Sequence, residues 1–89
     1  MNYCIKCIVK GQVQGVFYRD TTRSKACELG LVGHAYNLVG GDVEVVACGE
    51  KEKVEQLHHW LWQGPQDAVV SDVICEVVDG DVEGGFVIG

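Results

Sequence analysis

Tyr3-Cys4-Ile5-Lys6-Cys7-Ile8-Val9-Lys10, then Gly11-Gln12-Val13-Gln14-Gly15-Val16-Phe17-Tyr18-Arg19, then Asp20-Thr21-Thr22-Arg23-Ser24-Lys25-Ala26-Cys27-Glu28-Leu29: this stretch decides the fold. In its first part Tyr3, Ile5, Cys7 and Val9 fall on one face and Lys6 and Lys10 on the other, the period of two that marks a half-buried strand. Over residues 21–29 the period lengthens. Thr22, Ala26 and Leu29 share one stripe and Gly30 follows as a stop, which predicts a helix. Between the two, residues 11–19 read as a loop with glycines at 11 and 15.

Outward from this unit the pattern continues. Residues 32–38 read as a second strand, Gly40-Gly41 as a turn, and Val43, Val45 and Ala47 as one face of a third strand, so the pair forms a hairpin. Residues 51–63 predict a second helix with Val54, Leu57 and Leu61 on its buried stripe, ended by Gly64-Pro65. Residues 69–78 read as a fourth strand, and Gly85-Phe86-Val87-Ile88 as a short edge strand. The order β-α-β-β-α-β, with right-handed split βαβ units, predicts an α+β ferredoxin-like plait: one antiparallel sheet with two helices on one face. That fold hosts many functions and settles none of them.

At 89 residues and 47% hydrophobic composition, the chain is expected to form a single domain over residues 1–89 with one core. No apolar run approaches the roughly 20 residues of a membrane span. The start, Met1-Asn2-Tyr3-Cys4, runs straight into the alternating strand, so no leader is expected and the cytoplasm is the default compartment. A net charge of −6 argues against a nucleic-acid binder that relies on bulk positive charge. The distribution is uneven. Residues 1–25 hold Lys6, Lys10, Arg19, Arg23 and Lys25 against Asp20 alone, while Lys51 and Lys53 face all the other acids. A small anion is therefore drawn toward the N-terminal segment.

The loop supplies the chemistry for such an anion. Backbone N–H groups in a strand–loop–helix turn can converge on one point, and the helix N-terminus adds partial positive charge. Glycine lets a ligand approach the backbone, and the planar fork of Arg19 can take two phosphate oxygens. The Gly-Lys-Ser/Thr ending of a P-loop and the glycine spacing of a dinucleotide fingerprint are both absent. Read alone, the segment is equally an ordinary strand–helix turn carrying a surface arginine.

Two motifs at a fixed separation go further. Gly11-x-Val13-Gln14-Gly15-Val16-x-Tyr18-Arg19 is followed by Gly30-Leu31-Val32-Gly33-His34-Ala35-Tyr36-Asn37. Together they resemble the signature of the acylphosphatase family. The likeness continues through Gly41-x-Val43-Glu44, Gly49, Trp60-Leu61, Gly64-Pro65 and Phe86-Val87-Ile88, essentially the whole chain. It implies the plait already read from periodicity and the hydrolysis of the carboxyl–phosphate bond of small acyl phosphates, releasing inorganic phosphate. It also implies that Arg19 binds the phosphate with loop amides of Gly15, Val16, Phe17 and Tyr18, and that Asn37 orients the attacking water. No metal or other cofactor is implied. The chain departs from many relatives at His34, where an aromatic residue is common, at Gly40-Gly41 in place of Asp-Gly, and at Ile88-Gly89 in place of Ile-Arg.

Five cysteines stand at 4, 7, 27, 48 and 75. Cys4-x-x-Cys7 invites a metal or redox reading, but on a strand these two positions point to opposite faces and no second pair at metal spacing exists. In the plait the first and third strands are antiparallel neighbours. Cys4 at the start of one and Cys48 at the end of the other then meet on the helix-free face with Lys6 and Val46, a candidate disulfide. Cys7, Cys27 and Cys75 are expected as packed thiols. His34, His58 and His59 form no ligand set, and Trp60 and Trp62 are expected at the core margin. Three functions compete: a monomeric acyl phosphate hydrolase, a phosphate- or carbamoyl-phosphate-binding module without turnover, and a plait with a degenerate site. A related domain of the second kind begins the hydrogenase-maturation carbamoyltransferases, which are long proteins; the short length here and the presence of both Arg19 and Asn37 favour the hydrolase.

Overall fold

The computed structural model describes residues 3–80 and 84–89; Met1 and Asn2, which enter the expectation of a leaderless start, lie outside them. The alternating segment forms strand β1 (Tyr3–Gln12), two residues longer than its periodicity predicts. Ile5, Cys7 and Val9 are buried on its helix side, and Lys6, Ile8 and Lys10 are half-buried on the other. Helix α1 (Tyr18–Glu28) follows, then β2 (Val32–Asn37), β3 (Val43–Gly49), helix α2 (Lys51–Leu61), β4 (Val69–Val78) and β5 (Phe86–Ile88).

The strand order is β4-β1-β3-β2-β5. β1 pairs antiparallel with both β3 and β4, and β2 with β3, which is the predicted plait. β5 pairs parallel with β2, so the sheet is mixed rather than wholly antiparallel. Val43, Val45 and Ala47 of β3 join the β1 face under Val54, Leu57 and Leu61 of α2 and Ala26 of α1, all of them buried. Burying a side chain such as Leu57 or Leu61 contributes roughly 2 kcal/mol each. The second glycine of the Gly30-x-x-Gly33 pattern is a packing requirement. Its φ is +147°, and a Cβ there would run into the Val46 carbonyl oxygen across the β2–β3 pair.

The cysteines differ in part from expectation. Cys4 and Cys48 face each other in the β1–β3 register with Cα atoms 4.1 Å apart and sulfurs at disulfide distance. Cys7 and Cys75 are not packed thiols: they face each other across β1 and β4, Cα atoms 4.0 Å apart, again at disulfide distance. The reason is positional. β1 is an interior strand, so a residue in its middle has a direct partner on each side. Cys27 is exposed on α1 rather than packed. Trp60 packs on the core margin as expected, whereas Trp62 is 49% exposed. Among the described residues, no helix is long and apolar enough to cross a membrane.

Candidate active site

The turn between β1 and α1 is short because the strand runs on to Gln12 and the helix begins three residues before the predicted start, at Tyr18. Arg19 therefore belongs to the first helical turn, not to a loop. Two left-handed residues shape what lies between: Gly15 at φ 78° and Phe17 at φ 60°, ψ 23°. A bulky L-residue in this region costs about 1–2 kcal/mol. Left-handed residues alternating with right-handed ones turn successive N–H groups inward, the geometry of an anion nest. Phe17 is the N-cap of α1 and has no side-chain oxygen to satisfy the first-turn amides. Its carbonyl starts the helix by accepting from Thr21 N at 2.9 Å, and Thr21 Oγ1 adds a second bond at 2.8 Å.

The turn opens on a cavity of about 320 Å³ lined by Gly15, Phe17, Tyr18 and Arg19, with Val13, Asp20 and Ile88. Phe17 stands at its rim, 78% exposed. Val16, the remaining residue of the predicted phosphate loop, turns its side chain toward the core instead. The Tyr18 side chain is engaged away from the turn. Its ring is buried and its hydroxyl donates to Leu61 O of α2 at 2.7 Å, with burial pushing the phenol pKa up.

Asn37 is the last residue of β2, on the same face as buried Ala35 and hence toward the helix layer. It does not line the cavity itself. It meets the site through β5, whose extension carries Gly89 between them. Gly89 N donates to Ala35 O at 3.1 Å, and Gly89 O accepts from Asn37 N at 3.1 Å and from Arg19 Nη1 at 2.6 Å. One oxygen thus receives bonds from both predicted catalytic residues, eighteen positions apart in sequence.

The basic excess of the N-terminal segment is largely spent elsewhere. Lys6 lies 3.5 Å from Glu44, Lys10 2.8 Å from Asp42, and Arg23 2.6 Å from Asp20. The Asp42 contact raises the Lys10 pKa. Among the described residues, Arg19 has no carboxylate side-chain partner; on the cavity wall its guanidinium donates to Gly89 O. His34 has found a structural role on the helix-free face: its Nε2 is 2.8 Å from Glu44 Oε2, and its ring stacks on Tyr36 at 4.0 Å. That hydrogen bond holds the Glu44 carboxyl below its usual range. Among the described residues, no three His, Cys, Asp or Glu side chains are grouped to hold a metal ion.

The sequence reading missed three contributors. Ile88 and Gly89 enter only because β5 runs parallel to β2, which no local pattern reveals. Gln14 was visible within the first motif, but its partners lie in the β2–β3 turn.

Fold and cleft define a class: small ferredoxin-like plaits with an oxyanion-type turn between the first strand and the first helix. Comparison with known proteins is specific within it. The family model described as Acylphosphatase matches residues 5–88. The chain is 52% identical over 75 residues to an acylphosphatase of Coxiella burnetii (strain Dugway 5J108-111), covering 84% of this chain and 79% of that one. It is similar to the solved structure of an acylphosphatase from Coxiella burnetii, with TM-score 0.94, 45% identity and 99% and 93% of the two chains covered. For the crystal structure of acylphosphatase from Bacillus subtilis the TM-score is 0.89 at 27% identity, covering 100% and 99%. The chain belongs to the acylphosphatase family, and it is an enzyme that hydrolyses acyl phosphates.

Proposed function

We propose that Arg19 and the amides of Gly15, Val16, Phe17, Tyr18 and Arg19 hold the phosphoryl group of a small acyl phosphate while Asn37 positions the attacking water. The observation that carries this reading is the shared acceptor: Arg19 Nη1 and Asn37 N both bond Gly89 O, so the cation and the amide-bearing residue meet around one point beside the cavity. The chemistry asks for little more. The leaving group is a carboxylate, so no strong general acid is required to protonate it. Charge building on the equatorial phosphoryl oxygens is matched by the guanidinium and the turn amides. The Asn37 side-chain carbonyl accepts from the water and its amide donates, which fixes the water in line. Water oxygen bonds to phosphorus, the bond from phosphorus to the acyl oxygen breaks, and a phosphoryl oxygen takes the proton, giving carboxylate and inorganic phosphate.

The same reading treats the chain as a monomeric domain of the cytoplasm that needs neither metal nor nucleic acid. Hydrolysis of benzoyl phosphate with EDTA present tests it. Arg19→Ala should raise KM and lower kcat, because the charge is used in both ground and transition states. Asn37→Ala should lower kcat by on the order of 10²–10³ with KM little changed. Full kcat in Asn37→Ala would remove the water-positioning role.

A further inference from the structure

Asn37 ends β2, paired with Val43 across the hairpin and bonded to Gly89 O, but the turn that follows it has little to hold it on its own. Leu38, the next residue, closes the turn through Leu38 N to Asp42 O at 2.8 Å and a longer bond from Gly41 N to Leu38 O at 3.3 Å. Val39 at its tip is fully exposed, and Gly40 and Gly41 both have positive φ, residues that resist few alternative conformations. The firm connection comes from outside. Gln14 Nε2 donates to Leu38 O and to Asp42 O, each at 2.9 Å, which uses both protons of its amide. Gln14 sits between buried Val13 and left-handed Gly15, inside the turn that lines the cavity.

We propose that Gln14 is a positioning residue: its amide ties the phosphate-side turn to the β2–β3 turn and thereby sets the distance from the phosphoryl site to Asn37. The inference rests on the reading of Asn37 given above. Lys10 adds a second tie to the same turn through the Asp42 carboxylate at 2.8 Å. That pair is partly exposed and screened, so it contributes less than the two neutral bonds in this half-buried position. The arrangement explains why a glutamine, rather than any polar residue, suits the place. The two oxygens it meets are both carbonyl acceptors, so a carboxylate of the same shape would repel them.

The test is steady-state hydrolysis of benzoyl phosphate by the wild type, Gln14→Leu, Asn37→Ala and the double variant. Inorganic phosphate inhibition reports the integrity of the phosphate-side turn. A small misplacement of a reacting group costs up to about 10²-fold, so Gln14→Leu should lower kcat by roughly 10- to 10²-fold. KM and the phosphate inhibition constant should stay within about twofold. In the Asn37→Ala background the same change should have almost no further effect on kcat, since there is no side chain left to position. Should Gln14→Leu fail to fold, Gln14→Glu takes its place, keeping the shape and removing the donors. Full kcat in a folded Gln14 variant, or an equal fall in the presence and absence of Asn37, would overturn the proposal while leaving the Asn37 reading intact. Full kcat in Asn37→Ala would overturn both, and the single variant shows which has happened.

Discussion

Replacing Tyr18 by Phe deletes one buried oxygen between α1 and α2 and separates two roles that the motif merges. The ring is 1% exposed and its hydroxyl donates to Leu61 O at 2.7 Å, joining the start of α1 to the end of α2. Removing the donor loses a net hydrogen bond of about 1 kcal/mol and leaves a carbonyl with its partner gone, at about 1–3 kcal/mol. The ring still fills its place, so no cavity term is added. A loss of about 2 kcal/mol is expected overall, or roughly 10 °C in Tm for a chain of this size. Burial keeps the phenol protonated well above its ordinary value of 10.0, so the hydroxyl donates throughout the neutral range. Urea unfolding near neutral pH measures the loss, and hydrolysis of benzoyl phosphate measures the rest. On the proposed reading Tyr18 offers the ligand its backbone N–H and not its side chain, so KM and kcat should stay within about twofold of the wild type. A stability change below about 0.5 kcal/mol would refute the hydrogen-bond argument. A KM raised several-fold in a folded variant would show that the hydroxyl, not the amide, serves the phosphate.

Glu44→Gln should reveal a pH-dependent contribution. The His34 hydrogen bond depresses the Glu44 carboxyl below 4.5, so its stabilisation is present above that value and lost as pH falls through the folded one. The stability gap between wild type and variant should be open at about pH 6 and shrink as the pH falls through the folded carboxyl's range, and a gap that does not change with pH would sink the idea. The cysteine pairs make a count available. Unfolded without reductant, the chain should present one titratable thiol, Cys27, and five after reduction; five at the outset would mean that neither cross-strand pair is oxidised. On the chain-entropy model the Cys4–Cys48 link, spanning 44 residues, stabilises by about 4 kcal/mol, readable as a shift of the urea midpoint on adding reductant.

Periodicity was enough for β1, β4 and the helix stripes, because one face of each must leave water and side-chain spacing records which. Element ends were less legible. The early start of α1 depends on Phe17 adopting a left-handed conformation, and nothing in a phenylalanine announces that. The pairing of Cys7 with Cys75 follows from β1 having β4 as its second neighbour, the same argument that placed Cys4 opposite Cys48, applied to one edge and not the other.

Local sequence alone determined the plait and the strand–turn–helix that can hold an anion, because backbone preference and which side chains must be buried are short-range properties. Arg19 and Asn37 stood out only through the likeness of their two motifs to a family signature. Tertiary structure decided which cations remain for a ligand, since Lys6, Lys10 and Arg23 are drawn off by acids whereas Arg19 has no acidic side-chain partner among the described residues. It also decided that β5 brings Gly89 O to both Arg19 and Asn37, and that the Gln14 amide spans to the β2–β3 turn. Those are hydrogen bonds and ion pairs between residues far apart in the chain. Their partners are chosen by the register of the sheet, which no single segment contains.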